Sequence, residues 1–219
     1  MNELAEPKEI FPGQAFCFSC GPGLSCFNAC CRDLNQFLTP YDILRLKGNL
    51  ALSSEEFLGQ WADIHTGPQT GLPVVTLKPA GPEGECPFLS PQGCRVYPDR
   101  PSSCRAYPLV RLVGRNRATG QVSERWFLLR EDHCRGFEES ASITPEQWVE
   151  SQELLPYNRM NDRFMTVLAA KNRLGPGPLP EGLERDFRLA CYGLDSFGPL
   201  LEQGRIPGAE AASFPNQED

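Results

Sequence analysis

Cysteine spacing constrains this chain more than any other feature of it. Five cysteines fall between Cys17 and Cys31 as C-x2-C-x5-C-x3-C-C. Three more run from Cys86 to Cys104 as C-x7-C-x9-C, and Cys134 follows about thirty residues later. The 21 prolines and 20 glycines concentrate around these groups and near the C-terminus. Backbone so rich in both turns too often for long helices or continuous ladders. Such segments need a tie from outside the backbone, and clustered thiols can supply one. Thiolates are soft donors suited to zinc and iron–sulfur clusters, whereas calcium and magnesium ask for oxygen.

Disulfides are the competing tie. The opening MNELAEPKEIF has neither the basic start nor the apolar stretch of a secretory leader. No apolar run approaches the roughly 20 residues that span a bilayer. A cytoplasmic chain is therefore expected, with its thiols kept reduced and available to metal. Adjacent cysteines such as Cys30 and Cys31 are also poorly placed to bond to each other. The net charge of −7 argues against a nucleic-acid binder, which would carry a basic face. Cys191 lies among apolar neighbours and reads as a core residue.

Arginine follows four of the cysteines, as Arg32, Arg95, Arg105 and Arg135. Four thiolates around a metal or cluster leave a negative site, which guanidinium groups could offset while donating to sulfur. The same arginines could equally be solvated partners of Asp33, Asp99, Asp132 or Glu138. Arg105, inside CRAYP, is the preferred candidate for a functional role. His133 beside Cys134 is a weaker candidate ligand, and His65 weaker still.

Local signals place the elements. A helix is predicted over LTPYDILRLKGNL, with Thr39 as N-cap and Pro40 in the first turn. Another starts at Ser53, where Ser53 and Glu56 match a capping box, and carries Phe57, Leu58, Trp61 and Ile64 at helical spacing. PVVTLKP reads as a strand, and only short extended pieces and turns are expected from Cys86 to Pro108. YPLVRLV and VSERWFLLR read as a hairpin. Thr144-Pro145 opens a helix over TPEQWVESQELL, with a capping box to Gln147. A longer helix is predicted after a break at Pro156, and one or two more beyond the LGPGPLPEG linker.

The motifs together resemble the YkgJ-type cysteine-cluster family of zinc- or iron-chelating domains. Its first signature is matched by FCFSCGPGLSCFNACC and the threonine-led LTPYDILRL. Its second is matched by Cys86-Pro87-Phe88-Leu89, Gly93-Cys94, Tyr97, Arg100-Pro101 and Cys104-Arg105-Ala106-Tyr107-Pro108, and its last by Cys134-Arg135-Gly136. The spacing of the first group is longer than the compact family form, and the pattern requires neither Cys17 nor Cys191. The resemblance implies Cys20, Cys26, Cys30, Cys31, Cys86, Cys94, Cys104 and Cys134 as metal ligands. It implies as cofactor an iron–sulfur cluster, [4Fe–4S] favoured, or zinc.

Eight thiolates make one centre with spare thiols, or two. An extended Cys30-Cys31 would point its side chains opposite ways, and a turn could aim both at one site. Three functions compete: a structural or carrier metal site, an iron–sulfur oxidoreductase with a protein redox partner, and an S-adenosylmethionine-dependent methylase. The last is implied by a resemblance to bacterial flagellin lysine N-methylases and would act on a protein substrate. No G-x-G-x-x-G turn accompanies it. The expected fold is α+β: one loop-rich, metal-stapled domain with short strands and a helical C-terminal third. It divides into a cysteine-cluster domain over 11–137, a helical extension over 138–206 packed on it, and a flexible tail over 207–219.

Overall fold

The computed structural model describes residues 7–33, 35–68, 70–115, 119, 121–173, 175 and 177–205; the tail expected over 207–219 lies outside them. Strands β1 (Lys8–Ile10), β2 (Phe16–Cys17) and β3 (Phe37–Leu38) lead into helices α1 (Pro40–Asn49) and α2 (Ser54–Trp61). Strands β4 (Ala62–Thr66), β5 (Pro73–Leu77), β6 (Leu89–Ser90) and β7 (Gly93–Cys94) follow, then the short helix α3 (Ser102–Ala106). Next come the hairpin of β8 (Leu109–Arg115) and β9 (Val122–Leu128), and strand β10 (Ser142–Ile143). Among the described residues, four helices follow: α4 (Pro145–Ser151), α5 (Leu154–Arg173), α6 (Glu181–Tyr192) and α7 (Leu194–Glu202). This is the mixed α+β architecture with a helical C-terminal part that the sequence predicts. Among the described residues, no helix is long and apolar enough to cross a membrane.

Helix starts follow the local chemistry. Thr39, Ser53 and Thr144 each accept from the backbone three residues on, and Asp42, Glu56 and Gln147 reach back to complete capping boxes. Three expectations need correction. The helix from Ser53 ends at Trp61, so Ile64 lies in β4 opposite Val75, yet it still packs on the same core. The proline-rich stretch before Pro108 is not all turn, because α3 forms immediately after Pro101. The break expected at Pro156 falls at Glu153, which takes a positive φ of 51°. Pro156 then sits in the first turn of α5, where its missing N–H has no helical partner to lose.

Two apolar cores organise the molecule. The first gathers Leu38, Ile43, Leu46, Phe57, Val75, Leu77, Phe88 and Val96 around the β3-β5-β4 sheet, and helix α6 adds Cys191 and Tyr192. The second joins Ile10, Phe16, Phe18, Leu109, Trp126, Trp148, Val149 and Leu154 beneath the β1-β9-β8 sheet. Both cores draw on the chain before and after residue 137, so the C-terminal helices complete the interior. The seam between the cores is where the cysteines gather. Cys86 and Cys94 pack against the first core, and Cys134 packs against the second.

Candidate metal centre

Short devices place the cysteines other than Cys17, which faces outward, and Cys191, which lies in the first core. Strand alternation buries Phe16 and Phe18 and turns Cys17 outward, opposite Ser142 on β10. Phe18 meets Tyr107, Phe137 and Trp148 edge-to-face, with centroids 5.9, 5.0 and 5.3 Å away. That packing fixes the strand from which Cys20 and Cys26 depart. A single turn of 3-10 helix, Ala29–Cys31, then delivers the adjacent pair. It is held from behind by Asn28 Nδ2, which donates to the Ser90 carbonyl at 3.0 Å.

The second group is fastened to the first through the backbone. The Cys86 amide donates to the Cys31 carbonyl at 2.8 Å. Strands β6 and β7 pair Leu89 with Cys94, and Gly93 turns there at φ 111° with Phe27 Cζ only 3.0 Å from where a Cβ would sit. Helix α3 carries Cys104 and is anchored by the fully buried Asp42. That carboxylate accepts from the amides of Thr39 (2.9 Å) and Ser102 (2.7 Å) and so caps α1 and α3 together. Gly136 lets the Cys134 loop lie directly on Phe18 and Ser19. A Cβ there would stand 2.6 Å from Phe18 Cε2 and 2.7 Å from the Ser19 carbonyl oxygen.

All ten cysteines are free thiols. Cys20, Cys26, Cys30 and Cys134 line one cavity of about 40 Å³, together with Tyr107 and His133. Burial pushes the Cys20 thiol up, and Cys30, Cys134 and Cys26 add to the rise by repulsion. The Arg135 amide donates to Cys26 Sγ at 3.2 Å. Cys31, Cys86, Cys94 and Cys104 do not line that cavity, although Cys30 also repels the thiolates of Cys86, Cys94 and Cys104. A hydrogen bond between the neighbouring thiols lowers Cys30 to about 7 and raises Cys31.

Cys104 keeps some open surface but sits in a protein-lined recess. Lost solvation there pushes its thiol up to about 12, with repulsion from Cys86, Cys94 and Cys30 adding to it. Burial also raises Cys86 and Cys94, opposed by the amides of Phe88 and Val96 two residues on, which favour the thiolate. Among the described residues, no three His, Cys, Asp or Glu side chains converge into a finished metal shell. Four of the thiols line one shared cavity instead.

The arginines sort differently from their places in the sequence. Arg105 is buried and directs its donors to the Gln152 and Pro98 carbonyls, with its guanidinium over the Tyr157 ring at 4.7 Å. It bolts α3 to the α4–α5 junction. Arg32 pairs with Glu83 and Glu85, and Arg135 with Glu138, on exposed surface. Arg95 reaches the Pro87 carbonyl at 2.5 Å, and its charge favours the Cys86 and Cys94 thiolates. Arg100, which sequence neighbourhood does not single out, favours the thiolates of Cys94 and Cys20. The R-P step of the motif was its only signal. His133 lines the cavity and faces Glu131 at 3.5 Å, while His65 lies exposed on β4.

Two further residues were not anticipated. The Tyr107 hydroxyl is buried against the cavity without a well-formed hydrogen bond. Burial raises this phenol, and the neighbouring Cys134 thiol raises it further. Gln36 accepts from Cys104 Sγ at 3.2 Å.

A small α+β fold whose loops draw soft donors to one seam defines a class, that of the cysteine-rich metal chelators. The particular family is shown by a match over residues 19–135, just over half of the chain, to the CxxCxxCC family, described as "Putative zinc- or iron-chelating domain". The chain belongs to that family. No curated protein and no solved structure matches it.

Proposed function

We propose that this chain is a cytoplasmic metal–thiolate protein of iron–sulfur type, [4Fe–4S] rather than zinc, that exchanges electrons with a protein partner. Its ligands are Cys20, Cys26, Cys30, Cys31, Cys86, Cys94, Cys104 and Cys134. One observation supports the reading: cysteines far apart in sequence meet, with Cys20, Cys26, Cys30 and Cys134 lining one cavity and the Cys86 amide bonded to the Cys31 carbonyl. An all-sulfur donor set suits iron–sulfur clusters and zinc. When bound, a cluster supplies one-electron chemistry.

The chain's own groups set the conditions for it. The Arg135 amide donates to Cys26 Sγ, and Arg95 and Arg100 supply positive charge near Cys86 and Cys94. Both features favour the more negative state of such a centre and raise its potential. Cys20, Cys30 and Cys104 keep accessible surface, so the centre lies within reach of a docking partner.

Anaerobic purification with iron, zinc and acid-labile sulfide analysis, joined to a visible spectrum, tests this directly. Iron and sulfide in equal amounts, with a broad band that reductant bleaches, are expected. Stoichiometric zinc in a colourless protein overturns the redox reading and leaves a structural zinc site. The methylase reading gains no support from the fold. Every strand pairing among the described residues is antiparallel, so there is no parallel-sheet switch point to cradle a nucleotide.

A further inference from the structure

We infer that the eight thiols form two adjacent four-sulfur metal centres, one for each apolar core, with the Cys30-Cys31 pair divided between them. The inference rests on the reading above that these thiols hold metal. Cys20, Cys26, Cys30 and Cys134 make the first centre, and Cys31, Cys86, Cys94 and Cys104 the second.

Three observations define the first set. Its four cysteines line a single cavity of about 40 Å³. Besides the cysteines, His133 is the one other lining side chain suited to a soft metal, and Phe18, Leu24 and Phe27 wall the rest. Tyr107 turns a buried hydroxyl toward it that finds no good protein partner, which is how a donor to a metal-bound sulfur would be placed. Cys134 also packs on the second core, alongside Phe137.

The second set is built from other elements. None of Cys31, Cys86, Cys94 and Cys104 lines that cavity. Cys86 and Cys94 pack on the first core, and the Cys86 amide is bonded to the Cys31 carbonyl. Strands β6 and β7 hold Cys94 opposite Leu89, three residues beyond Cys86. Cys104 arrives on α3, which Asp42 ties to α1 of the same core.

The junction is the turn Ala29–Cys31. Successive residues of a 3-10 helix point about 120° apart, and of the pair Cys30 lines the first cavity while Cys31 does not. Each centre would staple the first cysteine group to a different later segment. The two centres therefore hold the two cores to each other.

The test counts centres in the full-length chain. Metal-stripped protein is titrated anaerobically with zinc, and a cadmium-113-loaded sample is examined by NMR. Two equivalents of zinc and two thiolate-shifted cadmium resonances are expected. C26S and C134S should each lose the same resonance, and C86S and C94S the other; C30S should disturb both. One equivalent with one resonance in the unsubstituted protein overturns the partition, even if every variant fails to fold. So does loss of both resonances in C26S and in C86S while their far-ultraviolet spectra stay native. No metal uptake at all instead defeats the reading on which the partition rests, so the two failures are distinguishable.

Discussion

Gly136→Ala isolates the contact that lays the Cys134 loop on the first cysteine strand. The new methyl would stand 2.6 Å from Phe18 Cε2 and 2.7 Å from the Ser19 carbonyl oxygen. Ordinary carbon contacts lie at about 3.5–4.0 Å, so the loop or the strand must retreat by roughly 1 Å. Phe18 cannot yield easily, because Tyr107, Phe137 and Trp148 hold its ring edge-to-face. The loop moves instead, straining the Ser19 N–H bond to the Gly136 carbonyl (3.0 Å) and the Arg135 N–H bond to Cys26 Sγ (3.2 Å).

Overpacking of this kind costs about 1–3 kcal/mol, which for a chain of this size lowers Tm by about 2–12 °C. Metal–ligand distances tolerate only about ±0.2 Å, so a retreat of roughly 1 Å should also withdraw Cys134 from ligation. Thermal melting followed by circular dichroism, with metal per chain by mass spectrometry, reads both effects. Gly23→Ala is the control, since a Cβ there meets nothing within 4 Å. If Gly136→Ala melts within about 1 °C of the parent and keeps its full metal content, the close approach does not position Cys134.

Three further outcomes are expected. Asp42→Ala leaves the Thr39 and Ser102 amides without their acceptor, at about 2–4 kcal/mol; denaturant titration should show it, with metal affinity falling because Cys104 rides on α3. Arg105→Met should destabilise the fold through lost ties to Gln152 and Pro98, but leave the visible or charge-transfer spectrum of folded, loaded protein unchanged. A shifted spectrum would make Arg105 a tuner of the metal after all.

Burial raises the Cys191 thiol from 9.0 to about 11. A raised pKa means its contribution is complete below the unfolded value and lost as pH climbs through the folded one. Stability should fall between about pH 9 and 11 by up to about 2–3 kcal/mol from this group. Cys191→Ala should cost about 1 kcal/mol at neutral pH and flatten that decline, without changing metal content.

What was legible in the sequence is what short-range chemistry decides. The capping residues Thr39, Ser53 and Thr144 announce their helices because the partner lies three residues away. The β8–β9 hairpin is similarly local. Strand β1 was invisible because its partner β9 lies more than a hundred residues on, and no property of KEI specifies that pairing. The apolar spacing of Ile64 fits a helix, but its place opposite Val75 serves a strand equally well. Periodicity reports which residues are buried more reliably than which element buries them.

The site divides in the same way. A cysteine is short, so a thiol stays close to its own backbone, and the turns that place the backbone are written in Pro and Gly. Eight thiols could thus be gathered on paper. An arginine spans several ångströms and can leave its neighbour behind. Arg105 follows Cys104 yet serves Gln152 and Pro98, whereas Arg100, four residues before Cys104, favours the thiolates of Cys94 and Cys20. Sequence adjacency fixes where a guanidinium begins, and the competition among carbonyls, carboxylates and sulfur decides where it ends. The buried Asp42 shows the opposite limit. Its capping box was local, but the second helix it caps begins 60 residues on, at Ser102. The aspartate of the threonine-led motif is therefore a link between α1 and the helix that carries Cys104, and it makes the placement of Cys104 depend on a residue that carries no metal chemistry of its own.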